Sequence, residues 1–294
     1  MTTFVIFIVL LSTFMHAGWN LLAHYDRSES LFYRRMLIFI IVIGFFPTLI
    51  SELQSRSLPP LAWLCVIGSG FSAGLYLFFL AKSFESADFS VVYPVARSLP
   101  VIFIGIIDTL RGRPLTLWGW VGIGLVSLGC FLVPQRSLRS FSWRSYLTPT
   151  TIWMLLTALG TIGYTYLDKI AAEVVQQSPA TAARYGYVYF AISFIPYSLF
   201  LKFSHPTSPK ERPNPKGWKL AVPAAILSFG AYWLILWAYQ LSPYASYIVA
   251  FRQFSIVIGS AVALTFYRES GLAVRLSGAL LITAGLILIA VLGR

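Results

Sequence analysis

Two arginines stand where a charge is expensive. Arg97 falls near the middle of one long apolar run, and Arg252 somewhat off-centre in another. Burying a charge in a bilayer costs about 2.5 to 17 kcal/mol depending on the measurement, so both should face protein or water rather than lipid. A guanidinium offers a planar fork suited to carboxylate or phosphate. It can equally tie down helix carbonyls or pair with Asp108 or Asp168. Helical spacing sets Tyr93, Arg97, Ile104 and Asp108 on one face, with Pro94 and Pro100 loosening the backbone bonding there. Ile248, Arg252, Ser255 and Gly259 form a matching face. The acids Glu52, Asp88, Asp108, Asp168 and Glu269 all lie toward the ends of apolar runs rather than at mid-depth. These residues predict a positively charged pocket for a small solute with an acidic group.

Ser12, His16, Asn20 and His24 recur every four residues, so one face of the first apolar run is polar along its length. His16 could titrate near neutral pH and couple to protons, or serve as a hydrogen-bonded packing residue. Aromatic side chains repeat on single faces as well: Tyr185 and Tyr189 with Ser193 and Tyr197, Trp233 and Trp237 with Gln240, and Tyr164 with Asp168. Apolar walls with a few polar handles suit a small-molecule cavity, although aromatic helix packing gives the same pattern. The candidate solute-contacting set is Arg97, Arg252, Tyr93, Tyr76, Tyr232, Trp233, Trp237, Tyr164, Tyr185, Tyr189, His16, Trp19 and Asn20. Catalytic signatures are missing. The three histidines, His16, His24 and His205, stand at unrelated positions and predict no metal site. Neither a phosphate-gripping glycine loop, nor a Gly-x-Ser-x-Gly elbow, nor paired interior carboxylates occur. The expectation is a protein that is not an enzyme and carries no cofactor.

The elements that must position these residues are membrane helices. The 294 residues are 57% hydrophobic and 11% charged, where a soluble domain carries about 25% charged residues. Ten windows could each cross a ~30 Å hydrocarbon core: about 3–23, 32–51, 61–83, 89–109, 115–134, 149–170, 181–204, 217–241, 244–266 and 272–293. They are continuous and do not alternate in polarity, which favours helices over barrel strands. The net charge of +12 is scattered over short loops and fits lipid headgroups better than nucleic acid. Cys65 and Cys130 sit inside apolar windows, which argues against a disulfide. The first apolar run begins at Phe4 without a basic leader and reads as an uncleaved span. Residues 205–216 carry four prolines and should form a stiff connector.

The chain also repeats itself. Arg35 and Phe45-Phe46-Pro47 recur as Arg184 and Phe194-Ile195-Pro196, 149 residues on. Ser72-Ala73-Gly74-Leu75-Tyr76 matches Ser228-Phe229-Gly230-Ala231-Tyr232, 156 on, and Arg97 matches Arg252, 155 on. Gly18-Trp19-Asn20 resembles Gly163-Tyr164-Thr165. The order predicts a five-helix repeat over residues 1–134, a connector over 135–148, and a second repeat over 149–294. An odd number of spans forces the two copies into opposite orientations, with the solute site between them. The expected architecture is all-α integral membrane, ten transmembrane helices in two inverted repeats around a central cavity. Gly122, Gly124 and Gly129 in the fifth span, and Gly278 and Gly285 in the tenth, allow close helix approach. That approach would serve internal packing, giving a monomer, or a homodimer seam.

Ten spans in two five-span repeats, with His16-Ala17-Gly18-Trp19-Asn20, Tyr93-Pro94 and the turn Arg111-Gly112-Arg113-Pro114, resemble the drug/metabolite transporter superfamily, in its EamA-type branch. The resemblance implies a ten-helix fold with a central cavity that moves small organic solutes across the cell membrane, often outward. Such proteins often carry a Gly-Glu pair before the last span; here Arg268-Glu269 stands there, and the first half has Arg113-Pro114 without the acid. Lys and Arg counted by loop would put both termini outside, whereas the resemblance puts them in the cytoplasm; orientation stays open. A lipid-phosphate flippase using the same arginines and a non-transporting membrane scaffold are the alternative functions.

Overall fold

The computed structural model describes residues 1–26, 29–55, 58–86, 89–135, 137, 148, 151–203, 217–266 and 271–293. Most of the expected connectors at 135–148 and 205–216, and Arg268 and Glu269, lie outside the described residues. The described residues form helices α1 (Thr3–Asp26), α2 (Glu29–Ser55), α3 (Pro60–Ser86), α4 (Phe89–Leu110), α5 (Leu117–Leu132), α6 (Thr151–Val174), α7 (Pro179–Phe203), α8 (Gly217–Leu241), α9 (Ala245–Arg252), α10 (Phe254–Phe266) and α11 (Leu272–Leu292). Each lies over one of the apolar windows, because in lipid a continuous apolar run can satisfy its backbone only within itself.

Among the described residues, six stretches are long and apolar enough to cross a membrane: α1, α2, α3, α8, the combined α9–α10 and α11. Their outward faces are apolar. On α2, Val42, Ile43, Phe46, Ile50 and Leu53 are each more than half exposed. A water-facing helix would not display such a surface. Polar groups turn inward instead: Ser69, Thr157, Thr165 and Ser246 are fully buried, and Asp108 and Asp168 are 1% exposed.

The ninth expected span is broken. The sequence predicts one helix over 244–266, but α9 ends at Arg252 and α10 begins at Phe254. Neither proline nor glycine causes the break. The Gln253 N–H reaches back only three residues, to Ala250 O at 3.0 Å, and Ile256 N–H likewise to Gln253 O at 2.9 Å. Side chains then serve the carbonyls at the break: Gln253 Nε2 donates to Val249 O at 3.1 Å and Ser255 Oγ to Arg252 O at 2.9 Å. Hydrogen bonding by neighbouring side chains is a standard cause of helix kinks.

Helix packing is pairwise. The largest interfaces join α3 to α6, α5 to α11 and α1 to α8, with α3–α7, α2–α7, α4–α5, α4–α6 and α2–α8 next. The α5–α11 seam is made by glycines. A Cβ on Gly129 would lie 2.6 Å from Gly278 O, and one on Gly122 2.7 Å from Gly285 O. These four glycines therefore pack against each other within one chain, while a Cβ on Gly124 would meet nothing within 4 Å. Gly129→Val should destabilise the purified protein by about 1–3 kcal/mol, the usual cost of overpacking, seen as a lower melting temperature. An unchanged melting temperature would mean that the two helices are not in contact.

Candidate functional site

A cavity of about 80 Å³ is walled by eight helices. Ser12, His16 and Trp19 come from α1, Ala73 and Tyr76 from α3, and Arg97 from α4. Tyr164 of α6, Tyr189, Phe190 and Ser193 of α7, Ser228 and Tyr232 of α8, and Arg252 at the end of α9 complete the polar and aromatic lining. The helix break after Arg252 falls at this wall, consistent with irregular backbone at membrane depth being tolerated beside a cavity. Both arginines and the two aligned tyrosines, Tyr76 and Tyr232, thus meet in one chamber.

Of the other expected site residues, several face elsewhere. Asn20 Nδ2 donates to His16 O at 2.7 Å. Trp233 Nε1 donates to Pro179 O at 2.7 Å, and the Trp237 ring packs edge-on against Phe4, 5.2 Å between centroids. Tyr185 is buried one layer behind the wall. The Tyr93 side chain lies outside the described residues.

The contacts of His16 carry chemical information. Trp19 Nε1 donates to His16 Nδ1 at 3.2 Å, and an Arg97 terminal nitrogen stands 3.0 Å from His16 Nε2. Indole N–H and guanidinium are donors only, while a neutral imidazole has one acceptor nitrogen. Either tautomer therefore leaves an imidazole N–H facing a donor. With Trp19 holding Nδ1, the mismatch falls between Nε2–H and Arg97. An acceptor oxygen placed there would take hydrogens from both. Opposite, the Arg252 guanidinium lies over the Tyr232 ring, 5.6 Å from its centroid. Tyr232 stacks on Tyr189 at 4.4 Å and meets Tyr164 and Phe190 edge-on.

Asp168, six residues before the end of α6, is buried directly behind Tyr232. Its Oδ1 accepts from Ser69 Oγ at 2.5 Å and Tyr185 OH at 2.8 Å, and its Oδ2 accepts from Tyr232 OH. The four-residue spacing of Tyr164 and Asp168 was the signal; their shared depth followed only from how α6 slides along α3.

Asp108 is likewise engaged away from the arginines. It accepts the Ser246 backbone N–H at 2.8 Å, placing a carboxylate at the start of α9, where the helix dipole favours negative charge. Lys169 Nζ donates to Tyr239 O at 2.9 Å and Ser242 O at 2.6 Å, closing the end of α8. Around the same turn, Glu173 accepts from Arg111 at 2.8 Å and Arg113 at 2.5 Å, and lies 3.5 Å from Lys169. Arg113 also donates to Pro243 O at 2.9 Å. Its hydrogen bond to Glu173 holds the Arg113 guanidinium above its ordinary pKa. The α4–α5 turn of the first half is thereby fastened to α6 and to the α8–α9 turn of the second. Between this cluster and Arg252, residues Ser246 to Phe251 are all buried.

Spanning helices wrapped around a chamber that holds two arginines define a multi-pass integral membrane protein. Residues 3–134 match the EamA-like transporter family. Over 78 residues, 26% of this chain, it is 37% identical to proteins of Escherichia coli, Salmonella typhimurium and Pseudomonas aeruginosa named for ethidium bromide resistance. The aligned stretch spans 64% of the length of those relatives. A solved chain described only as "Crystal structure of protein" superposes with a TM-score of 0.71 at 17% identity, over 100% of this chain and 98% of that one. That likeness concerns the fold alone.

Proposed function

We propose that this membrane transporter carries a small metabolite with an acidic group outward, by alternating access between two inverted five-helix repeats at 1–134 and 149–294. The carrying observation is the Arg97 guanidinium in the cavity wall beside His16, a planar fork suited to carboxylate or phosphate. Arg252 supplies a second positive group in the same chamber. Packing supports the repeats: exchanging the first five spans with the last five turns α1–α8 into α6–α3, and α3–α7 into α8–α2, and all four interfaces are present. The cavity has room for a handful of waters, so a metabolite could enter only if the walls part. That is what a rocking mechanism provides.

A second reading has specific support. The relatives named for ethidium resistance suggest an organic cation, for which the stacked rings of Tyr189 and Tyr232 offer aromatic faces. Two guanidiniums in the chamber oppose it. The deciding measurement is solute counterflow in proteoliposomes of the full chain, using amino acids, organic acids, sugar phosphates, anionic phospholipid and ethidium. The expected result is exchange of one or more acidic metabolites. Movement of ethidium alone would establish the cation reading, phospholipid alone a flippase, and no exchange at all a non-transporting role.

A further inference from the structure

The anion reading leaves one buried charge without a task. Asp168 is 1% exposed, and its contacts are three neutral hydroxyls, on Ser69, Tyr185 and Tyr232. The elements packed around it present few charges. On α3 the neighbour is the Cys65 thiol; on α7 and α8 they are the phenols of Tyr185, Tyr189, Tyr232 and Tyr239. The field of Arg252 reaches it from α9, across the Tyr232 ring. Lys169, next in sequence, turns to the α8 carbonyls, and Glu173 faces the two arginines of the α4–α5 turn. Asp108 on α4 is held by Ser246, and Arg184 on α7 by Ser51 and Glu52.

We propose that Asp168 is a proton-binding site which makes the carrier a proton–anion symporter, with Tyr232 as the link to the cavity. This rests on the anion reading above; outward carriage then draws on a solute gradient steeper than the opposing inward proton gradient. The linkage follows from hydrogen counting. As a carboxylate, Asp168 only accepts, and Tyr232 spends its hydrogen on Oδ2. A proton delivered from the side to which the cavity is open forms an O–H bond at Oδ2. That O–H must now donate, and Tyr232 is the group in place to accept it. The Tyr232 hydrogen then has to point elsewhere, and its ring already lines the chamber. Protonating Asp168 and offering a hydroxyl to a bound anion are therefore one rearrangement. Each favours the other, as reciprocal linkage requires. Proton and monoanion cross together without net charge, and release of both on the far side restores the carboxylate. The same helix carries Lys169 and Glu173 a turn further on, so a shift of α6 on protonation is transmitted to the fastened end.

Two measurements separate this inference from the one beneath it. Infrared difference spectra of the wild-type protein in liposomes, taken between alkaline and acidic buffer, should show a protonated-carboxyl band that Asp168→Asn lacks and Asp168→Glu shifts. The band needs no solute, so it reports on Asp168 even if the metabolite panel fails. An identical spectrum in wild type and Asp168→Asn overturns the proposal. For whichever acidic solute exchanges, an imposed gradient of one pH unit should concentrate it about tenfold, the equivalent of 1.36 kcal/mol. Asp168→Asn should retain counterflow and lose that accumulation, with Asp168→Glu restoring it. Accumulation that persists in Asp168→Asn refutes the coupling. Should Asp168→Asn not fold, Asp168→Glu carries the test: an unshifted carboxyl band there overturns the assignment.

Discussion

Arg97→Ala should cut exchange of the acidic solute by about a hundredfold, close to 3 kcal/mol, the scale for truncating one partner of a desolvated charge pair. The effect should fall on transport far more than on the yield of folded protein. Arg97 stands in the cavity wall with its guanidinium 3.0 Å from His16 Nε2. Arg97→Lys keeps the charge but loses the planar fork, and should fall between the two. Equal loss of transport and of yield in Arg97→Ala would assign the residue to structure and leave the anion site without its first ligand.

Breaking the Glu173 cluster should have the next largest effect. In Glu173→Gln, Arg111, Arg113 and Lys169 are left facing one another without their shared carboxylate. Cutting a buried ion pair costs about 3–5 kcal/mol. Glu173 retains 25% side-chain exposure, so about 2–3 kcal/mol is the fitting range, or roughly 30- to 100-fold in a conformational equilibrium. Ser246 is a suitable reporter, because it is fully buried between the cluster and Arg252, with its backbone N–H held by Asp108. In a background with Cys65 and Cys130 replaced by serine, Ser246→Cys should react slowly with a water-soluble maleimide. Adding Glu173→Gln should raise that rate by the same factor. An unaltered rate would show that the ion cluster does not hold this end shut.

Hydropathy alone located the helices. The windows at 3–23, 61–83 and 272–293 are covered by α1, α3 and α11, since a lipid-bound segment must close its own backbone bonds whatever surrounds it. The internal likeness of Ser72–Tyr76 to Ser228–Tyr232 and of Arg97 to Arg252 singled out residues that the fold brings into one cavity wall.

Helical spacing could not say which aromatic faces look inward. Trp233 neighbours Tyr232 yet turns to Pro179, because successive residues on a helix point about 100° apart and a stripe fits either side. The break at Gln253 was equally hidden, for it rests on side-chain bonds to Val249 and Arg252 carbonyls rather than on a helix-breaking residue. Residue types and their order thus dictated a membrane-embedded helical protein with two costly charges, since solvent and backbone bonding act locally along the chain. The meeting of Arg97 with His16, the burial of Asp168 behind Tyr232, and the joining of Glu173 to the far half depend on how helices distant in sequence slide and rotate against each other. Packing across the bundle settles those contacts, and no local pattern encodes it.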